Sequence, residues 1–370
     1  MEWNAIVDKS PFSVLHHRYE LFSYCENPLP LIVENQNHKF LFPLRIIKLF
    51  KSFRLAMSPI YSYASVLPNN ENNLDMMPEA LDCVATFLEG MRIDYLSLCA
   101  PTFHPKQYTA SLNAWFRKHK ASVQILYAHM VRIGNATFEE IWKTKFNKHA
   151  RYNVRRAERE GVNVREIKTE DDIRRWIEDI YQCNLSALKR QGREGAYPDS
   201  NKDIYLSELI SDKKRLGEHF QIYSAIYHER LIAYMIVQEY NKLMQTTKLM
   251  SHTKFLDRRP NDALFAYIIR KACEKNVELF EYGLVRTELG GEISSLYPTL
   301  KEFFEKFGFT EIPVFIYRVG LTRSGRILQH LFSGREYLMS RYAYIPSSIR
   351  NPVLKLYAPR RRKLFPIFNT

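Results

Sequence analysis

Both halves of this 370-residue chain run through the same order of apolar segments, and that order restricts the folds open to it. In the first half, LPLIVENQNHKFLFPLRII reads as a hairpin turning at Glu34-Asn35-Gln36-Asn37. FRLAMSPIYSYASVL is a third strand-like run, ended by the loop NNENN. Met76 to Met91 follows with Leu81, Val84, Ala85 and Leu88 at helical spacing. A strand (IDYLSLCA), a helix (KQYTASLNAWFRKH) and a strand (SVQILYAHMVRI) complete the half. In the second half, HFQIYSAIYHERLIAYMIVQEYNKLMQTTKLMSHTKF gives three strands separated at His228-Glu229-Arg230 and Asn241-Lys242. Asp262 to Lys275 reads as a helix, VELFEYGL as a strand, Leu296 to Lys306 as a helix and PVFIYRVG as a last strand. The halves share almost no residue identity, so the repeat is one of pattern. An antiparallel meander that feeds one β-α-β unit predicts an α+β fold, its sheets covered by helices.

An apolar content of 46% and an aromatic content of 14% exclude a disordered chain. Only 13 glycines weigh against folds built on glycine-rich phosphate loops. The net charge of +14 is unevenly placed. Residues 321–370 hold ten Lys/Arg against the single acid Glu336, residues 143–159 hold seven against Glu158, and the remainder is close to neutral. This distribution predicts an anionic partner met at defined places. Cys25, Cys83, Cys99, Cys183 and Cys273 are odd in number and far apart, which predicts reduced thiols rather than a zinc or disulfide framework. MEWNAIVDKSPFS lacks the basic and apolar regions of an export signal. No apolar stretch reaches the ~20 residues that span a bilayer, so a cytoplasmic location is expected.

Between the halves, FEEIWKTKFNKHARYNVRRAEREGVNV is helical by propensity, with Gly161 as its stop. Phe146, Val154 and Ala157 are its apolar positions; Lys148, Arg151, Arg155 and Arg156 are candidate anion ligands. Asp171 to Arg190 reads as another helix, followed by the polar loop QGREGAYPDSN. Arg190 and Arg193, beside Gly192 and Gly195, suit contact with phosphate. His252 ends a strand, from which it can face the cleft as a candidate substrate or phosphate ligand, and Tyr152 and Tyr197 are placed to stack on a base or sugar.

This ordered set includes a tryptophan, the K-x-x-R-x-x-x-R-R-A-x-x-x-G-V helix and the K-R-Q-G-R-E-G loop. The three-strand meander, F-E-Y-G and L-K-E-F-F-E-K-F-G-F follow. Over Trp142 to Arg318 it resembles the GNAT-superfamily branch that holds the Fem-type aminoacyltransferases and the BioF2-like acetyltransferase domains. Trp3, the hairpin and M-S-P-I-Y-S-Y-A extend the likeness through the first 135 residues. The resemblance implies two tandem GNAT-like domains, residues 1–135 and 136–322, each a mixed, largely antiparallel sheet covered by helices. A basic aromatic tail, 323–370, follows. It also implies transfer of an acetyl or aminoacyl group from acyl-CoA or aminoacyl-tRNA to a small-molecule or lipid-linked amine, in cell-envelope or surface-glycan chemistry, without a metal. Lys301 matches the lysine of the family's Y-K-x-x-F motif, with Leu300 in place of its tyrosine, and Glu281 falls where many relatives carry Asp. These two are the candidate catalytic residues.

Acyl transfer to an amine needs a deprotonated nucleophile, a carbonyl at attack distance and donors for the developing oxyanion. No covalent intermediate is required, in keeping with the lack of G-x-S-x-G, H-E-x-x-H and Walker motifs. The base is Glu281, Glu288, Glu292 or a water, and a helix N-terminus or splayed strand can supply N–H donors to a pyrophosphate. The usual coenzyme A loop signature is absent, which leaves aminoacyl-tRNA open as donor. In residues 335–370 basic and bulky apolar side chains interleave, a pattern suited to an anionic membrane face or to RNA. A non-catalytic RNA-binding protein on a degenerate acyltransferase scaffold is the alternative reading. Oligomeric state is left open.

Overall fold

The computed structural model describes residues 2–23, 26–35, 38–49, 53–58, 64–101, 104, 106–192, 194–195, 200–285, 297–327 and 329. The elements of the first half are α1 (Glu2–Lys9), α2 (Tyr19–Phe22), β1 (Pro28–Asn35), β2 (His38–Leu49), β3 (Phe53–Met57), β4 (Leu67–Pro68), α3 (Met77–Gly90), β5 (Tyr95–Pro101), α4 (Lys106–Lys118) and β6 (Ser122–Arg132). Then come α5 (Phe138–Thr144), α6 (Lys148–Arg159), β7 (Asn163–Ile167), α7 (Glu170–Arg190) and α8 (Lys202–Leu216). The second meander is β8 (Phe220–Tyr227), β9 (Arg230–Tyr240) and β10 (Leu243–Ser251). It is followed by α9 (Pro260–Glu274), β11 (Leu279–Val285), α10 (Tyr297–Glu305) and β12 (Thr310–Gly320). The α+β class and the repeated order are as the periodicities require.

Two compact units form, one from Met1–Tyr127, Val285–Tyr297 and Pro313–Thr370, the other from Ala128–Leu284 and Pro298–Ile312. The linear ranges 1–135 and 136–322 do not coincide with them, because the chain passes between units inside β6 and again inside β12. In the first unit β1, β2 and β3 pair antiparallel, β3 pairs parallel with β5, and β5 pairs antiparallel with β12. Tyr317 of β12 stacks on Phe116 at 4.3 Å, so the strand is seated by aromatic packing as well as by its ladder.

In the second unit the strand order is β6-β11-β10-β9-β8-β7, with β10 and β11 parallel and β9 antiparallel to β8 and β10. The β10–β11 ladder runs from Leu243↔Leu279 to Thr246↔Tyr282, while β10 continues to Ser251 against β9 across an irregularity at Thr246/Lys248. The described rungs thus lie at the beginnings of the two parallel strands. A core of α5, α6, α9 and α10 side chains covers one face, with Phe265 at its centre against Phe280, Tyr282, Phe303, Phe304, Phe307 and Phe309.

The basic segment corrects the single-helix expectation: it is α5, a break, α6 and then β7. Thr137 and Glu140 form a capping box that starts α5. Asn147 restarts the helix by accepting the Ala150 N–H at 2.9 Å, and its own N–H donates to the Lys306 carbonyl at 2.9 Å. Gly308 lies against this break with φ +80, where a Cβ would come within 2.7 Å of Lys145 Cβ. Helix propensity alone does not report that contact. The segment containing α8 carried no expectation, and β7 begins two residues after the expected stop at Gly161.

Candidate active site

On α6, Ala150, Val154 and Ala157 are buried against the core, which turns the basic positions outward. The arginines then take different roles. Arg151 donates through Nη1 to the carbonyls of Trp142 (3.2 Å), Lys143 (3.4 Å) and Phe146 (2.6 Å), closing the C-terminal end of α5. Arg156 donates to Glu160 at 2.7 Å, and Glu160 also accepts from Arg258 at 3.2 Å. That pairing holds the Glu160 carboxyl below its ordinary pKa, chiefly through the Arg156 hydrogen bond. Arg155 lies over the Trp142 ring at 5.6 Å. Among the described residues, Lys148, Arg155 and Arg159 have no carboxylate partner. Together with Arg151, Tyr152 and Glu158 they line an open hollow of about 590 Å³.

The remaining candidate anion ligands cluster at the end of β10. Arg190, at the end of α7, donates to the Ser251 carbonyl (3.3 Å) and the Thr253 hydroxyl (2.8 Å). His252 accepts the Lys254 N–H at 3.2 Å through Nδ1, capping the 3-10 turn that leads to α9. Burial and then the neighbouring Arg230 and Lys254 push its pKa down, so it is neutral at pH 7. Both residues fix the chain at the end of β10. Arg193 and Tyr197 lie outside the described residues, as do Glu288, Glu292, Cys25 and the segment 335–370. Cys83, Cys99, Cys183 and Cys273 are free thiols.

The two candidate catalytic residues are not brought together. Phe280 and Tyr282 point into the α9/α10 core, so alternation turns Glu281 to the opposite face, beside Gln245 of β10 and fully buried. Lys301 is on α10, on the Phe280 face. Its Nζ is 3.5 Å from Glu311 and 3.9 Å from Glu305. These three, with His129, Gly308, Phe309 and Thr310, line a hollow of about 380 Å³. His129 was not legible as a candidate: it is a lone histidine in a strand, 172 residues before Lys301.

A buried pair links this region to α6. Lys306 donates to Asp262 Oδ1 at 2.6 Å, and Asn153 of α6 donates to the same oxygen at 3.1 Å. Burial pushes the Lys306 pKa down, opposed by the Asp262 charge. Asp262 is in the first turn of α9, where the helix dipole favours an anion. Lys306 lies in the turn just past the end of α10, its Nζ over the Phe303 ring at 4.0 Å, and Phe303 and Phe307 on either side of it in sequence held a clue to its burial. Among the described residues no group of His, Cys, Asp and Glu is arranged to hold a metal ion, and no helix is long and apolar enough to cross a membrane.

Residues 144–291 match the family model described as an acetyltransferase (GNAT) domain. No functionally curated protein matches the chain. Among solved structures it is similar to FemX, at 11% identity over 89% of this chain and 98% of that one, with a TM-score of 0.65. It is also similar to L-PGS from Bacillus licheniformis, at 13% identity over 92% and 96% of the two chains, TM-score 0.53. A third relative is the C-terminal domain of a putative lysylphosphatidylglycerol synthetase from Agrobacterium fabrum, at 12% identity over 89% and 95%, TM-score 0.53. The second unit supplies nearly all of the matched segment. Residues 144–291 therefore form a GNAT acetyltransferase domain, and the chain as a whole shares its fold with FemX.

Proposed function

We propose that the protein transfers an aminoacyl or acyl group from a phosphate-bearing carrier to an amine, with the carrier's phosphates along the exposed face of α6. The observation that carries this reading is the open 590 Å³ hollow, in which Lys148, Arg155 and Arg159 face outward without carboxylate partners. Between the two carriers the geometry favours aminoacyl-tRNA over acyl-CoA. A pyrophosphate seated on α9 would meet the Asp262 carboxylate already lodged in its first turn. An extended polyanion needs only an exposed cationic face. FemX and the lysylphosphatidylglycerol synthetase domain add support of fold, and the basic-aromatic stretch 335–370 is compatible with an acceptor at a lipid surface.

The reading is tested by offering the purified protein labelled aminoacyl-tRNA and, separately, labelled acetyl-CoA, each with a panel of primary amines. Transfer from the RNA-borne donor is expected; transfer from acetyl-CoA alone assigns the other carrier, and transfer from neither sinks the proposal. Arg155→Ala/Arg159→Ala is expected to weaken tRNA binding at all sequences and to make its salt dependence shallower by about 1–2 units in slope. Unchanged salt dependence would place the RNA elsewhere. Lys301→Ala is expected to lower kcat/KM by about 10²-fold with tRNA affinity unaltered, as for loss of one donor to the reacting centre.

A further inference from the structure

The hollow beside α10 sits level with the last described rung of the β10–β11 ladder. Ile133, just past the end of β6, donates to the Glu278 carbonyl at 2.9 Å, so counting back along the antiparallel neighbours brings His129 level with Tyr282. Both rings pack on Phe304, His129 at 4.8 Å and Tyr282 at 4.4 Å, in agreement with that count. Tyr282 pairs with Thr246, the last rung of the β10–β11 ladder. Thr310 Oγ1 donates to the Met130 carbonyl at 3.4 Å, which puts Glu311 beside His129 from the next strand, with Nε2 and Oε1 3.7 Å apart.

Floor and mouth differ in kind. His129 is 1% exposed and Phe309 2%, whereas the side chains of Lys301 and Glu305 are 42% and 56% exposed. Among the described residues that line it, two carboxylates and one ammonium stand around the opening, a net negative charge over a buried imidazole. A cavity of 380 Å³ with a negative mouth suits the end of an alkylammonium chain.

We propose that this hollow seats the acceptor amine: Glu305 and Glu311 draw it in as its ammonium form, and His129 takes the proton that frees its lone pair. The proposal rests on the acyl-transfer reading and assigns the acceptor side of it. The acceptor R–NH3⁺ gives one proton to His129 Nε2. Its nitrogen then bonds the donor's carbonyl carbon as the bond to the carrier oxygen breaks, and a second N–H proton passes to that leaving oxygen. Amide, free carrier hydroxyl and an imidazolium result; the imidazolium returns its proton to solvent.

Four groups set the proton affinity of the site. Burial holds His129 below its usual 6.5, Glu311 and Glu305 push it up, and Lys301 pushes it down. His129 is thus neutral, and able to accept a proton, at pH 7. Transfer by the wild type should rise with pH through an inflection below 6.5. His129→Gln should lose that inflection and about 10²-fold in kcat. Glu311→Gln removes a charge that favours imidazolium, so the inflection should move to lower pH; Lys301→Met should move it to higher pH. A structural histidine would produce none of these opposite shifts.

A binding readout separates this proposal from the donor assignment. Butylamine is the probe, and the imidazole signal of His129, assigned by its loss in His129→Gln, is followed by NMR. Added butylamine should move that signal in the wild type and not in Glu305→Gln/Glu311→Gln. A signal unmoved in the wild type, or an inflection retained in His129→Gln, overturns the proposal. Absence of transfer from any donor, with the amine-dependent shift intact, overturns the transfer reading and leaves the amine site standing.

Discussion

Lys306→Met is expected to destabilise the protein by about 3–5 kcal/mol, because it strands the Asp262 carboxylate inside the second unit. The pair is nearly dry, at 14% and 6% side-chain exposure, and the Lys306 ammonium is the short partner of Asp262 at 2.6 Å. Asn153 supplies one further donor, too little to solvate a charge by itself. Thermal unfolding should show an apparent Tm lower by something on the order of 10 °C. Replacing both partners, as in Asp262→Leu/Lys306→Met, should recover most of that loss, since an apolar pair of similar volume removes the stranded charge. A double variant as unstable as the single one would mean that the pair is not the cause. The same variants bear on function. Asn153 ties α6 to this carboxylate, so loosening the pair should also weaken the proposed tRNA binding while leaving every α6 cation in place.

Phe265→Ala should cost about 3–5 kcal/mol through the cavity it leaves. Its ring is fully buried and stacks on Phe307 at 5.3 Å, with Phe280, Phe303, Phe304 and Phe309 at 5.1–6.1 Å. Phe304 in turn packs on His129 and Tyr282. Denaturant unfolding should report the stability loss. Where the variant remains folded, kcat should fall more than the affinity for tRNA, because the cavity opens under α10 and not under the outer face of α6. Phe265→Leu, which retains most of the volume, should recover the larger part of both.

Much of the architecture was legible because strand and helix periodicities are local. The meander β8-β9-β10 was bounded by turn residues that the structure places at positive φ: His228, Glu229, Asn241 and Lys242. The helix α9 and the strands β11 and β12 fell close to their expected places for the same reason. The break between α5 and α6 was not legible, since Asn147 meets Lys306, and Lys145 meets Gly308, only in the fold, across stretches of chain far longer than any local pattern. Site residues divided along the same line. A cationic helix face is a one-dimensional pattern, and the 590 Å³ hollow lies on it. Which arginines remain available is not: Arg151 is drawn to the end of α5 and Arg156 to Glu160, by contacts that charge counting does not register.

By itself, the sequence determined the α+β class, the duplicated order of elements and the location of the excess positive charge, because each is a property of neighbouring residues. Only the tertiary structure decided that β6 and β12 carry the chain between two compact units. It alone turned Glu281 and Lys301 to opposite faces of a sheet, and gathered His129, Lys301 and Glu311 around one hollow. Strand alternation decides which way a side chain points only once the strand's partners and covering helices are fixed. Those come from packing between segments far apart in the chain.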